Sequence, residues 1–357
     1  MKVVHVVESF SAGVLDFIRS LVEGIPDFEH TIIHGTREDT PYNVGALFPD
    51  ETGFHLWKHA GREIRPLRDV MALAELMAPL RRMRNSDVVH LHSSKAGFIG
   101  RVACSMLGLQ QKVVYSPNGA AFMRRDVSSA KSGIYKRLEQ FAARLGGRVV
   151  CSCRSEQEEF LKAGIPAMSI NNGICCSGAQ GGRSDPRTLV IGTANRITAQ
   201  KNPALFNEIA RHFSGDAVCS FVWIGDGEMR DKVTSPNIRK TGWVSMEKLD
   251  ELLGSIDIYL STALWEGLPL SALYAMCAGK PMLLSNCTGH RDIVRSGVNG
   301  YLFEDLDEAV AHISKLKQDR ELLAALGQRS RDIVMKEFSL DKMIEQYRAL
   351  YKALAAL

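Results

Sequence analysis

The stretch Ser261-Thr-Ala-Leu-Trp-Glu266-Gly-Leu-Pro-Leu-Ser271-Ala-Leu-Tyr274-Ala-Met-Cys-Ala-Gly-Lys-Pro281 runs from an acidic loop into a small-residue helix. Strand-like runs bound it on both sides, Ile256-Asp-Ile-Tyr-Leu260 before and Pro281-Met-Leu-Leu-Ser285 after. Strand, helix and strand in that order imply a parallel pair joined by a crossover. A helix start presents unpaired amides and the positive end of the peptide dipoles, so it suits an anion. Glu266 ahead of it has two readings. It is either a carboxylate that accepts hydrogen bonds from ligand hydroxyls, or a helix-terminal acid stabilised by the dipole for about 0.3 to 1 kcal/mol.

Outward from this stretch, the same unit recurs through the whole chain. Thr188-Leu-Val-Ile-Gly192 and Ser220-Phe-Val-Trp-Ile224 read as further strands of the second half, with helices near 202–213, 246–254, 270–278 and 306–328. In the first half, Lys2–Glu8, Thr31–His34, Asp87–His92, Lys112–Ser116 and Arg148–Ser152 are short β-branched runs suited to buried parallel strands, and 68–84 reads as a helix. Each half is therefore an α/β doubly wound domain whose ligands bind at the carboxyl ends of the strands. The Gly- and Ser-rich segment 174–186 has no periodicity and reads as a flexible connector. The expected organisation is a first domain over 1–172, a second over 187–335 and a closing helix in 336–357. In that helix Ser339 is the N-cap, and Ile344, Tyr347, Leu350, Tyr351 and Leu354 form one apolar face.

Composition narrows the partners. With 357 residues and 45% apolar content the chain can fill two cores. A formal charge of +4 is too weak to point to nucleic acid. No apolar run is long enough to span a bilayer, and the opening MKVVHVVESF lacks the pattern of a signal peptide. The eight cysteines show no paired CxxC spacing, so neither a zinc site nor a disulfide framework is expected, and a reducing cytoplasm is the expected compartment.

A second motif, Gly192-Thr-Ala-Asn195-Arg196-Ile-Thr-Ala-Gln-Lys201-Asn202, places a guanidinium at a strand end and an ammonium at the next helix start. Together with the segment around Glu266, it resembles the donor-site signature of retaining family 4 glycosyltransferases, of the type that builds bacterial cell-surface polysaccharides and glycolipids. The resemblance extends over nearly the whole chain. It implies a GT-B fold: two Rossmann-like domains facing a central cleft, with the last helix crossing back to the first. It also implies an acceptor-binding first domain and a nucleotide-sugar donor site in the second. In that setting Glu266 receives hydrogen bonds from sugar hydroxyls, and the amides near Leu268, Leu270 and Ser271 position sugar and phosphate. Pro269 has no amide to offer. Arg196 and Lys201 meet the charge growing on the diphosphate leaving group, with no cofactor and no metal expected.

Some positions depart from the family pattern. Tyr274 stands where relatives place a second Glu for the nucleotide ribose. Its hydroxyl either replaces that carboxylate, at a loss of about 1 to 2 kcal/mol, or packs in the domain wall. Asn118, in Ser116-Pro-Asn118-Gly119, stands where many relatives carry His near the outer sugar hydroxyls, and can hydrogen-bond but not take up a proton. Gly13 lies where relatives bring a Gly-rich loop to the phosphate, although a plain strand-to-helix turn explains it as well. Asp226 and Thr241-Gly-Trp243-Val244 match turns after consecutive strands, with Val244 as the candidate base contact. His90 and His92 share one strand face, and with no third ligand at zinc-like spacing they read as a sheet-end pair.

The expected reaction is transfer of a sugar, with UDP-sugar as the first donor candidate, to a hydroxyl of a glycan or lipid-linked glycan, with retained configuration. A nucleotide-sugar-binding pseudoenzyme and a nucleotide-sugar epimerase of the same fold are the rival readings. Arg62, Arg65, Arg68, Arg81, Arg82 and Arg84 flank the apolar run 70–80, and Arg124, Arg125, Lys131, Lys136 and Arg137 cluster further on. They read either as solvated faces or as a peripheral contact with anionic lipid on the inner face of the plasma membrane.

Overall fold

The structure, a computed structural model, describes residues 1–37, 40–61, 63–176 and 187–356. Arg62 and the 177–186 part of the connector lie outside the described residues. The chain divides into two compact units, one of Met1–Met123, Val127–Asn172 and Leu340–Leu357, the other of Arg124–Asp126 and Gly173–Ser339.

The first unit contains β1 (Lys2–Val7), α1 (Ala12–Gly24), β2 (Glu29–His34), β3 (Gly53–Leu56), α2 (Pro66–Arg82), β4 (Val88–His92) and α3 (Ser94–Met106). It continues with β5 (Val113–Ser116), α4 (Ser129–Arg144), β6 (Arg148–Cys151), α5 (Arg154–Lys162) and β7 (Ala167–Ser169). Its sheet is parallel, in the order β3-β2-β1-β4-β5-β6-β7. Along β1, Val3 and Val7 enter one core cluster while Val4 and Val6 enter another, so both faces of the strand are covered. This explains the nearly unbroken β-branched run.

The second unit contains β8 (Leu189–Ala194), α6 (Pro203–His212), β9 (Cys219–Ile224), β10 (Ile238–Lys240), α7 (Met246–Ser255), β11 (Ile258–Ser261) and α8 (Leu270–Cys277). After these come β12 (Met282–Ser285), α9 (His290–Ile293), β13 (Gly300–Phe303), α10 (Leu306–Gln318) and α11 (Arg320–Glu337). Its parallel sheet has the order β10-β9-β8-β11-β12-β13. The strand order reverses between β8 and β11, and such a switch point is where an open α/β sheet opens a crevice. The last helix, α12 (Leu340–Ala355), buries Ile344, Tyr347, Leu350, Tyr351 and Leu354 in the core of the first unit that includes α1.

Two expectations are corrected. The single helix read over 306–328 is two, because Asp319 leaves helical geometry (φ −117°, ψ 90°) and its Oδ1 accepts from the Leu322 amide at 2.8 Å to start α11. Second, Cys176 and Cys277 form a disulfide, although no disulfide was expected from cysteine spacing. The partners are 101 residues apart in sequence and 5.3 Å apart between Cα atoms, a proximity the chain path creates and spacing cannot reveal. Cysteine usage therefore no longer argues for a reducing compartment.

Candidate functional site

In the second unit, the loops leaving β8 and β11 are fastened to each other at the switch point. The Thr262 hydroxyl donates to the carbonyls of Lys201 (2.8 Å) and Asn202 (3.0 Å), and the Leu264 amide donates to Gln200 O (2.8 Å). Asn202 adopts the left-handed conformation (φ 48°) that an Asn tolerates, and it turns the chain sharply into α6. This fastening brings Lys201 against Glu266: the ammonium donates to Oε1, while Gln200 Nε2 donates to Oε2 at 3.3 Å and to Trp265 O at 2.9 Å. Glu266 is only 6% exposed, so its carboxylate is held rather than solvated.

The helix start beyond Glu266 keeps donors available. The amides of Ala272 and Leu273 both donate to Pro269 O (3.1 and 3.3 Å), whereas those of Leu270 and Ser271 precede any intrahelical acceptor. Leu268 is buried and Leu270 half-buried. The Ser271 hydroxyl is committed elsewhere, donating to Asn195 Oδ1 (3.2 Å) and accepting from Tyr259 Oη (2.9 Å). Tyr274 lies one turn further along α8 and is half-buried. Arg196 does not join the Lys201–Glu266 pair; its guanidinium lies 3.6 Å from Glu228. Val244 is half-buried beside an exposed Trp243, and the loops after β9 and β10 are linked because Gly225 N donates to Thr241 Oγ1 at 3.2 Å. Asp226 pairs with Arg230 at 2.5 Å.

Sequence reasoning passed over the segment Thr288-Gly-His290, which lies beneath this loop. Glu266 N donates to Thr288 O at 3.2 Å, and Gly289 (φ 82°) comes so close that a Cβ there would lie 1.7 Å from Gly267 O. His290 is fully buried; its Nδ1 faces Ser285 O at 2.8 Å, and Nε2 has no partner among the described residues. Burial lowers its pKa to about 4 despite the nearby Glu266 charge, so the ring is neutral. No sequence signal marks it, since a single His opening a four-residue helix has no period.

Gly13 and Asn118 belong to the first unit. Gly13 is exposed in the first turn of α1. Asn118 is half-buried and left-handed (φ 52°), with Gly119 also at positive φ (90°).

The expectation of an isolated histidine pair is also corrected. Register places His5 opposite His90, and His5, His90 and His92 form one cluster whose ligating atoms lie within 4.8 Å of one another. All but one of the ring nitrogens are nevertheless engaged. Ile25 O can only accept, so His30 Nε2 donates to it (3.1 Å), which leaves His30 Nδ1 to accept from His5 Nε2 (3.1 Å). His5 Nδ1 then accepts from His92 Nε2 (3.1 Å), and His92 Nδ1 is a bare lone pair without a partner among the described residues. His90 contacts Tyr351 Oη (2.7 Å) and Ser116 Oγ (2.8 Å). Desolvation lowers the pKa of all four rings, so the chain is neutral. With both ring nitrogens of His5 and Nε2 of His92 spent on hydrogen bonds within the row, the arrangement is a polar spine of the core.

Two family profiles match the chain, "Glycosyl transferase 4-like domain" over residues 12–171 and "Glycosyl transferases group 1" over 180–333. The chain belongs to the group 1, or family 4, glycosyltransferases, retaining enzymes of GT-B fold. It is 28% identical over 321 residues, 81% of either chain, to the Escherichia coli UDP-Gal:alpha-D-GlcNAc-diphosphoundecaprenol alpha-1,3-galactosyltransferase. It is 22% identical over 376 residues, 99% of this chain and all of the other, to an uncharacterised 41.2 kDa protein of the Klebsiella pneumoniae cps region. Among solved structures, Anabaena HepE in complex with UDP and glucose superposes with a TM-score of 0.78 at 16% identity, covering 99% of this chain and 100% of that one.

Proposed function

We propose that this glycosyltransferase moves a hexose from a UDP-sugar to a hydroxyl of a glycan or lipid-linked glycan, without a required metal. The observation that carries the reading is the Lys201–Glu266 pair at the switch point of the second unit, directly ahead of the α8 amides. A diphosphate leaving group gains charge as the glycosidic bond breaks, and fixed cations and amide dipoles lower that cost. Lys201 turns from Glu266 to the phosphate, Arg196 adds a planar fork, and the amides of Leu268, Leu270 and Ser271 complete the cradle. Glu266, released from Lys201, accepts from sugar hydroxyls; Val244 lies against the base, and the Tyr274 hydroxyl serves the ribose. Asn118 and Gly13 serve the sugar and phosphate from the first domain, 1–172, which also takes the acceptor. The donor site belongs to 187–335, with 336–357 completing the first domain. No side chain acts as nucleophile: the departing phosphate takes the acceptor proton on the same face of the sugar. The E. coli relative's UDP-Gal donor and lipid-diphosphate acceptor, and the UDP and glucose in HepE, support this choice of substrates.

Thermal unfolding with UDP, GDP or ADP in the presence of a chelator tests the donor. UDP is expected to raise the midpoint selectively, by mass action, and Lys201→Ala is expected to abolish the shift. A larger shift with GDP or ADP would reassign the nucleotide, and dependence on a metal would reject the metal-free cradle.

The first unit also offers a surface suited to anionic lipid. Leu67, Val70 and Met71 are 85%, 67% and 47% exposed on one face of α2, with Arg81 and Arg82 exposed at its end. Arg68 does not contribute, because its guanidinium donates to the carbonyls of His59 (3.1 Å) and Ala60 (3.0 Å). Among the described residues no helix is long and apolar enough to cross a membrane. Co-sedimentation with phosphatidylglycerol vesicles, weakened by salt and by Leu67→Asp, is the expected result, and equal recovery with neutral vesicles would remove the electrostatic part.

A further inference from the structure

We propose that Glu156 is the positioning residue that holds the loop 116–121 in the shape that presents Asn118, an assignment that rests on the donor-sugar role given to Asn118 above. Glu156 is fully buried in the first turn of α5, and among the described residues no Lys or Arg pairs with it. Its charge is met only by donors. Oε1 accepts from the amides of Gly119 (2.7 Å) and Ala120 (3.2 Å), and Oε2 from the amide and hydroxyl of Ser152 (both 2.9 Å). One carboxylate thus ties the loop after β5 to the end of β6.

The loop needs such a tie. Asn118 and Gly119 are consecutive residues at positive φ (52° and 90°), a turn that both residue types tolerate but that does not by itself fix the direction from which the Asn118 side chain leaves the backbone. The neighbouring anchors leave residues 118–120 to Glu156. Ser116 is held by His90, and the Ala121 amide donates to Ser94 Oγ at 2.9 Å. The two amides captured by Glu156 directly follow Asn118, so the carboxylate sets the backbone from which that side chain projects. Charge and shape are both required. A glutamine would offer one oxygen and turn its NH₂ towards amides that can only donate. An aspartate keeps both oxygens but falls one methylene short.

A role confined to supporting α5 would leave the Asn118 loop unchanged, and the experiment separates the two. Wild type, Glu156→Gln, Glu156→Asp, Asn118→Ala and the Glu156→Gln/Asn118→Ala double variant are compared by UDP release from UDP-galactose and UDP-glucose. The thermal shift given by UDP and amide hydrogen exchange across 116–123 are measured alongside. The expected result is UDP release slowed about 10- to 100-fold by Glu156→Gln, and less by Glu156→Asp, with the UDP shift retained. Exchange at Gly119 and Ala120 is expected to accelerate, and the double variant to be no slower than the worse single one, because both changes act through one loop. Unchanged exchange, wild-type release by Glu156→Gln, or additive losses in the double variant would overturn the assignment. Should Glu156→Gln not fold, the Glu156→Asp exchange and rate data decide it in the same way. If wild type released no UDP from either sugar, the donor reading would fall, while the exchange measurement would still accept or reject the anchor.

Discussion

Lys201→Ala is expected to lower sugar transfer by about two to three orders of magnitude while the protein stays folded, the size of effect seen when one preorganised charge-stabilising donor is removed. The backbone beneath Lys201 is held by the Gln200–Asn202 turn, itself fastened to Thr262 and Leu264, so only the side chain has to swing when phosphate replaces Glu266 as its partner. Truncation also leaves Glu266, 6% exposed, with Gln200 as its one side-chain donor among the described residues. An under-satisfied buried acceptor costs about 1 to 3 kcal/mol, so a lower unfolding midpoint should accompany the lost rate. Restoring the charge by Lys201→Arg should recover part of the rate. Initial rates at saturating donor, measured with the unfolding midpoint, separate the effects. A rate within about threefold of wild type in a destabilised variant would make the pair a structural ion pair and remove Lys201 from the phosphate.

Stability is expected to fall steeply as pH drops below the ordinary histidine value. Burial lowers the pKa of His5, His90 and His92 far below 6.5 and that of His290 to about 4. Because the unfolded chain binds these protons first, the stabilisation is complete above pH 6.5 and is lost as pH falls towards the folded-state values. For His290 the window is about 2.5 pH units, or about 3 kcal/mol at 1.36 kcal/mol per unit. The four rings together set a ceiling of about 5 kcal/mol per pH unit near pH 5. Glu156 acts in the opposite sense, since burial raises its pKa, and offsets a small part of the slope at the acid end. Unfolding midpoints at pH 8, 7, 6 and 5 should be level at first and then drop. Because three of the rings lie in the first unit and His290 in the second, both units should lose stability. Level midpoints from pH 7 to 5 would reject the neutral spine.

What the sequence disclosed follows from periodicity. Buried parallel strands such as Lys2–Val7 and Cys219–Ile224 are β-branched or aromatic runs and were legible, as was the apolar face of α12. The strands Gly53–Leu56, Ala167–Ser169, Ile238–Lys240 and Gly300–Phe303 were missed because they are short and open on Gly or carry polar or small residues, whereas equally short strands such as Val113–Ser116 are β-branched runs. Lys201 and Glu266 were singled out from local motifs, but their contact depends on the β8–β11 pairing and on Thr262. Of the histidine chain only the His90–His92 pair was legible: His5 looks like a lone polar residue until strand register sets it opposite His90. Nor does anything around Glu156 in the sequence distinguish it from a solvated helix glutamate. Its importance arises from amides 36 and 37 residues away.

The contact between Gly289 and Gly267 limits how the donor loop can change. With a Cβ at 289 landing 1.7 Å from the Gly267 carbonyl, no side chain fits there unless the Glu266 segment moves. A residue 22 positions downstream therefore acts as a mould for the acidic loop. Attempts to alter sugar preference by substitutions within 261–271 alone would work against that fixed backing. Variants that re-aim the loop should instead emerge as paired changes, one in the loop and one at 288–290.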